Sequence, residues 1–205
     1  MEPPVTNEPV TNEPASNEPI SNEPIGSEPI GNKAGEQPPR HDHTPSYRQK
    51  SVLWWALLCV PAIVLLGLGS SAISGSGEGS PWFEMLAKPA IYPPGWLFGV
   101  VWTILYSMMG FALALVLASD RKEHKKPAIV MFAVQLAVNL LWSPIFFGMH
   151  MIAFGFFWIM LLLVLVIATI AYFARVSRVS AALLVPYLLW VCFAALLNLQ
   201  FWQLN

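Results

Sequence analysis

Residues 128–173 read AIVMFAVQLAVNLLWSPIFFGMHMIAFGFFWIMLLLVLVIATIAYF, 46 residues without Asp, Glu, Lys or Arg. As a single helix this stretch would be about 69 Å long, more than twice the ~30 Å hydrocarbon layer of a bilayer. It is therefore expected to form two membrane helices joined by a tight turn. We place that turn at Gly148, Met149 and His150.

Three more apolar segments flank this hairpin, and none of them contains a charged residue. The five helices are expected at about 52–73, 96–118, 128–149, 151–173 and 181–203. The whole chain is 56% hydrophobic and 11% charged, whereas soluble domains carry about 25% charged residues. The predicted fold class is an all-α integral membrane protein, with a five-transmembrane-helix bundle in residues 51–205 and the lipid bilayer as its surroundings. The near balance of 12 acidic and 11 basic residues argues against a nucleic-acid partner.

Residues 1–50 differ sharply from the rest. A five-residue unit repeats there as VTNEP, VTNEP, ASNEP, ISNEP and IGSEP. With so few apolar residues, the segment is expected to be a disordered, acidic, Pro-rich tail, and it does not resemble a signal peptide. No metal site is expected, either at His41 and His43 in the tail or at Cys59 and Cys192 in the apolar runs.

The basic residues predict the orientation of the bundle. If the N-terminus is cytoplasmic, Lys88 is the one basic residue on the opposite side, because the cytoplasmic side holds Lys33, Arg40, Arg48, Lys50, Arg121, Lys122, Lys125, Lys126, Arg175 and Arg178. Such an excess of Lys and Arg is typical of cytoplasmic loops. We expect Lys88 to pair with Glu84, one helical turn earlier.

Aromatic and amide side chains recur on one face of three predicted helices. The stripes are Phe98, Trp102, Tyr106 and Gly110; Gln135, Asn139, Trp142 and Phe146; and Pro186, Trp190, Ala194 and Asn198. The tryptophans at helix ends (Trp54, Trp55 and Trp202) suit an interfacial belt, whereas those in the stripes lie deeper. The amides either join helices or line a cavity for a flat, mostly apolar ligand, and the pattern leaves both interpretations open. Ser, His and acidic residues form no pattern typical of a catalytic triad.

Three long motifs resemble the TspO/MBR family, which includes tryptophan-rich sensory proteins, translocator proteins and peripheral-type benzodiazepine receptors. They are WFEMLAKPAIYPPGWLFGVVWTILYSMMG (82–110), NLLWSPIFFGMH (139–150) and LLVPYLLWVCFAALLN (183–198). The resemblance covers residues 52–205 and implies a five-helix bundle, often a homodimer, that binds protoporphyrin IX, haem and related flat ligands. Such a receptor or sensor would regulate tetrapyrrole or stress metabolism without a required cofactor.

The family's pocket also maps onto this chain. The resemblance implies ligand contacts at Phe83, Trp102, Tyr106, Asn139, Trp142, Phe146, Trp190 and Ala194. It leaves enzyme activity open, because Trp102 and Trp190 match tryptophans linked to light- and oxygen-dependent porphyrin breakdown. Transport of tetrapyrroles or sterols is a further alternative.

The end of the chain departs from animal members of the family. Residues 197–205 read LNLQFWQLN, with Leu199, Gln200 and Gln203 where a sterol motif would have tyrosines and an arginine. We therefore expect low sterol affinity and a bacterial-type member, in a bacterial cell envelope rather than the mitochondrial outer membrane. The Pro-rich stretch KPAIYPPGW, residues 88–96, is expected to be stiff, and residues 74–94 to fold over the bundle as a lid.

Overall fold

The computed structural model describes residues 49–75 and 80–205, so residues 1–48 of the predicted disordered tail lie outside the described residues, while Gln49 and Lys50 begin a helix. The described part is built from α-helices and one π-helical turn. In chain order the helices are α1 (Gln49–Ile73), α2 (Pro81–Met85), α3 (Gly95–Ala118), α4 (Lys122–Ser143), α5 (Ile152–Val176), α6 (Arg178–Leu183) and α7 (Val185–Leu204), with the π-helical turn at Pro144–Gly148 between α4 and α5.

Within residues 49–75 and 80–205, five helical spans are long and apolar enough to cross a membrane, which confirms the predicted fold class. They are Ser51–Ile73, Gly95–Ala118, Lys122–Gly148, Ile152–Val176 and Arg178–Leu204. The third helix was expected from residue 128, yet α4 already begins at Lys122. Hydropathy locates only the apolar part of a helix, and a helix can continue into polar residues beyond the hydrocarbon layer. The cytoplasmic placement of the N-terminus stays a prediction.

The turn between α4 and α5 follows a π-helical segment. Pro144 opens it, and the backbone N–H of Met149 donates a hydrogen bond to the Pro144 carbonyl at 2.8 Å. His150 then adopts a φ of 59°, in the left-handed region that few non-glycine residues adopt. The chain thereby reverses and α5 begins at Ile152.

The last membrane span is interrupted, although one continuous helix was expected at 181–203. It consists of α6 and α7, which meet at Leu184. Pro186 was expected inside a helix but lies in the first turn of α7. Proline lacks the N–H that would donate to the carbonyl of Ala182 and tolerates a first turn well, so a new helix starts here.

The bundle has two ends with different interiors. We call the end that holds the last turns of α3 and α5, the first turns of α4, and α6 the packed end. Its core side chains are fully buried, among them Ala112, Val116, Phe173 and Val176. We call the opposite end, with α2 and the π-helical turn, the cavity end. Among the described helices, α1 packs mainly on α3, α4 on α5, and α5 on α7.

Candidate functional site

A cavity of about 330 Å³ lies among α1, α3, α4, α5 and α7 at the cavity end. Of the described residues that line it, none is charged, and its wall is dominated by aromatic rings: Phe83, Tyr92, Phe98, Trp102, Tyr106, Trp142, Phe146, Phe147, Trp190 and Phe201. Ligand sites are typically apolar concavities with a few polar groups, in this range of volume. The cavity therefore has the general character of a small-molecule site.

The structure brings all eight candidate residues from the sequence to the cavity wall: Phe83, Trp102, Tyr106, Asn139, Trp142, Phe146, Trp190 and Ala194. Two other stripe residues, Gly110 and Gln135, lie away from the cavity. Gly110 packs against α1, where a Cβ would approach Val60 Cα to 2.6 Å. Gln135 is buried away from the cavity and accepts a hydrogen bond from the Tyr187 hydroxyl at 3.1 Å.

Two pairs of stacked rings give the cavity flat walls. The Trp142 ring lies 5.0 Å from Phe146 with 18° between their planes, and the Trp102 ring lies 5.3 Å from Tyr106 at 29°. The partners in each pair are four residues apart on a helical path, so their side chains project from one face. Such walls favour a ligand with a flat face of its own.

Hydrogen bonds hold these rings in place. The Tyr106 hydroxyl donates to Asn139 Oδ1 at 2.9 Å, and Trp142 Nε1 donates to Asn198 Oδ1 at 3.3 Å. Asn198 Nδ2 in turn donates to the backbone carbonyl of Ile152 at 3.1 Å, which ties α7 to the start of α5. Asn139 and Asn198 thus both join helices and line the cavity, so the two interpretations left open by the sequence apply to the same side chains.

Trp190 differs from Trp142 in its hydrogen bonding. Its indole Nε1 is buried and has no hydrogen-bond partner in the structure. Buried donors are almost always paired, and an unpaired one costs about 1–3 kcal/mol. Trp190 itself lines the cavity, although its N–H is buried from it.

Residues 80–94, which include α2 and which we call the lid segment, contribute Phe83 and Tyr92 to the cavity wall. Phe83 is buried, and its ring lies 5.2 Å from Phe147 and 5.6 Å from Phe201. The predicted ion pair is confirmed, because Lys88 Nζ lies 3.2 Å from Glu84 Oε2. Of the predicted lid, residues 76–79 lie outside the described residues.

The cavity also opens sideways between α1 and α3. Leu68, Gly99 and Thr103 all line it, yet each is exposed on the outer surface of the bundle. In a membrane protein of this kind, that surface faces lipid. A lipid-soluble molecule could therefore be partly enclosed while part of it remains in the bilayer.

The whole contribution of α1 was missed by sequence reasoning. Val64, Gly67, Leu68 and Ser71 line the cavity, but α1 is apolar all round and carries no stripe to indicate which face is buried. Gly67 is the informative residue, since a Cβ there would lie 2.1 Å from the Tyr106 ring. Tyr92, Phe147 and Phe201 were also missed.

His41 and His43 lie outside the described residues, and His150, Cys59 and Cys192 lie apart from the cavity wall. His150 stacks on Trp82, with ring centroids 4.2 Å apart, and is not among the lining residues. Cys59 and Cys192 are both free, one buried and one exposed. Across residues 49–75 and 80–205, no three His, Cys, Asp or Glu side chains are grouped as a metal site would require.

Comparison with known proteins identifies the family. A sequence model of the TspO/MBR family matches residues 57–203. The chain is 43% identical to the tryptophan-rich protein TspO of Chlorobaculum tepidum over 157 residues, 76% of this chain and 98% of that protein. It is 35% identical to the tryptophan-rich sensory protein of Cereibacter sphaeroides over 152 residues, 74% of this chain and 92% of that protein. It is 39% identical to the translocator protein of Ovis aries over 132 residues, 63% of this chain and 78% of that protein.

The family match and the five apolar spans agree with each other and with the motifs that surround the cavity. The chain belongs to the TspO/MBR family and is an integral, multi-pass membrane protein.

Proposed function

We propose that this protein is a membrane receptor or sensor that binds porphyrin-type molecules in the aromatic cavity. The observation that carries the proposal is a cavity walled by stacked rings, with no charged group among its described lining residues. The family resemblance supports the same ligand class. Regulation of tetrapyrrole or stress metabolism would follow from that binding.

The dimensions of the cavity suggest how such a ligand would sit. About 330 Å³ is at the lower end of the range for small-molecule pockets. A tetrapyrrole would therefore enter edge-first, with one or two rings between the stacked aromatic walls. The remaining edge would extend through the opening between α1 and α3, towards lipid.

The polar groups of the cavity favour a free-base porphyrin or a haem held by its ring. Among the described lining residues there is no His, Cys or Met, so the iron of a haem would have none of these protein ligands. Ligand recognition would rest mainly on ring stacking.

A fluorescence titration tests the proposal. Protoporphyrin IX added to the purified protein in lipid nanodiscs is expected to quench tryptophan fluorescence saturably. The double variant W102F/W190F should bind more weakly, whereas W54F, a change at an exposed residue of α1 that does not line the cavity, should bind as the unmodified protein does. The proposal fails if quenching does not saturate, or if W102F/W190F binds protoporphyrin IX as tightly as W54F does.

A second candidate is light- and oxygen-dependent porphyrin breakdown. It is favoured by the placement of Trp102 and Trp190 in the wall of one cavity, where a bound macrocycle would contact both indoles. Illumination of the porphyrin complex in air should then yield a product that W102F fails to form while still binding porphyrin. Equal product from illuminated porphyrin alone would reject the enzyme.

The homodimer and the low sterol affinity stay predictions. Light scattering of the detergent-solubilised protein, corrected for bound detergent, measures the first. Competition between a sterol and protoporphyrin measures the second, and we expect weak displacement because Gln203 offers no cationic group.

A further inference from the structure

The side chain of Asn205 reaches back from the end of α7 to the lid segment. Its Oδ1 accepts a hydrogen bond from the backbone N–H of Ala87 at 2.9 Å, and its Nδ2 donates to the backbone carbonyl of the same residue at 3.2 Å. One carboxamide thus satisfies both backbone groups of Ala87, much as a neighbouring β-strand would. A third bond, from Nδ2 to the Phe201 carbonyl at 3.1 Å, orients the carboxamide on the last turn of α7.

The position of Ala87 makes this contact relevant to the cavity. Ala87 lies between Phe83 and Tyr92, the two lid residues whose rings line the cavity. Both rings also pack on Phe201, at centroid distances of 5.6 and 5.9 Å. Asn205 therefore pins the middle of the lid segment to the same helical turn that supports its rings.

The pairing is specific because it uses a backbone donor and a backbone acceptor at once. An apolar contact could slide along the lid segment, whereas two antiparallel hydrogen bonds fix one register between Ala87 and α7. By contrast, the Glu84–Lys88 ion pair lies entirely within the lid segment and does not tie it to the bundle.

Both partners are exposed, so water can replace these hydrogen bonds when the lid segment moves. A tie of this kind has a modest free energy and can break and re-form without unfolding the helices. These are properties expected of a latch rather than of a core contact.

We propose that Asn205 is a positioning residue that latches the lid segment over the cavity and so sets how long a ligand stays bound. Its carboxamide acts through Ala87 on Phe83 and Tyr92, without touching the ligand. The statement about residence time rests on the proposed function, but the latch itself does not.

The experiment compares N205A with Q203A, a matched loss of a carboxamide at an exposed residue two positions away on α7. Amide hydrogen exchange of the ligand-free protein in nanodiscs is measured on peptides that cover residues 82–92. Since two modest hydrogen bonds are lost, exchange there should accelerate by about threefold to tenfold in N205A and stay unchanged in Q203A. Dissociation of protoporphyrin IX, followed by stopped-flow fluorescence, should accelerate by about the same factor.

A third variant separates the hydrogen-bond pair from side-chain bulk. N205D keeps the size of the side chain but turns its donor into an acceptor that faces the carbonyls of Ala87 and Phe201. It should free the lid segment at least as much as N205A does.

Two outcomes would overturn the proposal. If lid exchange in N205A matches that of the unmodified protein, Asn205 is not a latch. If exchange accelerates while porphyrin dissociates at an unchanged rate, the latch does not control residence. A protein that binds no porphyrin at all would refute the proposed function, and the exchange measurement would still decide whether the latch exists.

Discussion

The packed end and the cavity end are built from the same membrane-spanning helices, yet one is solid and the other is hollow. At the packed end, small residues allow close approach, as where Gly110 of α3 meets the Val60 backbone of α1. At the cavity end, α1 and α3 instead meet through Gly67 and the Tyr106 ring, with the cavity beside them. Large flat rings leave space between helices unless other side chains fill it.

Hydrogen bonds between helices keep the cavity end from collapsing. An unfilled apolar cavity is costly, because its lining atoms lose dispersion contacts. Here hydrogen bonds fix the spacing between the walls. One joins Tyr106 to Asn139, and two others link Trp142 through Asn198 to α5. The packed end relies on shape complementarity, whereas the cavity end relies on a few polar ties.

The largest effect is expected from G110A at the packed end. The added Cβ would lie 2.6 Å from Val60 Cα, and because the obstacle is backbone, the helices must separate. The free energy of unfolding should fall by about 1–3 kcal/mol, seen as a lower unfolding temperature in detergent. In G69A, where a Cβ meets nothing within 4 Å, the temperature should not fall. If G110A and G69A unfold at the same temperature, close packing at Gly110 does not stabilise the packed end.

The variant N198L should weaken the polar ties of the cavity end. Asn198 is buried, and leucine would leave the Trp142 N–H and the Ile152 carbonyl without this partner. We expect a stability loss of about 1–2 kcal/mol, together with weaker porphyrin binding. Q200L, at a half-buried amide of the same helix that does not line the cavity, should leave porphyrin affinity unchanged. If Q200L weakens binding as much as N198L, the tie to Trp142 is not the reason.

G67A makes the same glycine-to-alanine change as G110A, but at the cavity end. Here the obstacle is a side-chain ring, which can move into the adjacent cavity at the expense of its hydrogen bond to Asn139. Porphyrin affinity should fall by about tenfold, about 1.4 kcal/mol, with a smaller drop in unfolding temperature than in G110A. Y106F removes the same hydrogen bond without bulk and should lower affinity less. If G67A unfolds at a temperature as low as that of G110A, the cavity end tolerates an added methyl group no better than the packed end does.

The smallest effect is expected from K88A. The ion pair with Glu84 is partly exposed, at 36% and 50% for the two side chains, and exposed pairs contribute about 0–1 kcal/mol. Porphyrin dissociation should change by less than about twofold, and less still at high salt, since salt screens the pair. A change as large as that of N205A would show that Lys88 ties the lid segment to more than Glu84.

Most of the aromatic wall could be predicted, because helical periodicity places Trp102 and Tyr106, or Asn139 and Trp142, on one face whatever their partners. Phe83 lies before the first stripe and was predicted only from the motif resemblance. Tyr92 and Phe201 were not predicted, because their contact joins segments more than a hundred residues apart and leaves no local pattern. The break at Leu184 was missed because residues 181–203 form one continuous apolar stretch, and hydropathy does not show where one helix ends and the next begins.

The sequence by itself determined the number of membrane helices, the position of the hairpin turn and the aromatic faces. The physical reasons are the thickness of a bilayer and the period of an α-helix, both of which act locally along the chain. Only the tertiary structure decided which face of α1 joins the cavity, that α4 ends in a π-helical turn beside it, and which residue contacts the lid segment from α7. Those features depend on contacts such as Gly67 with Tyr106 and Asn205 with Ala87, which arise only when distant segments pack together.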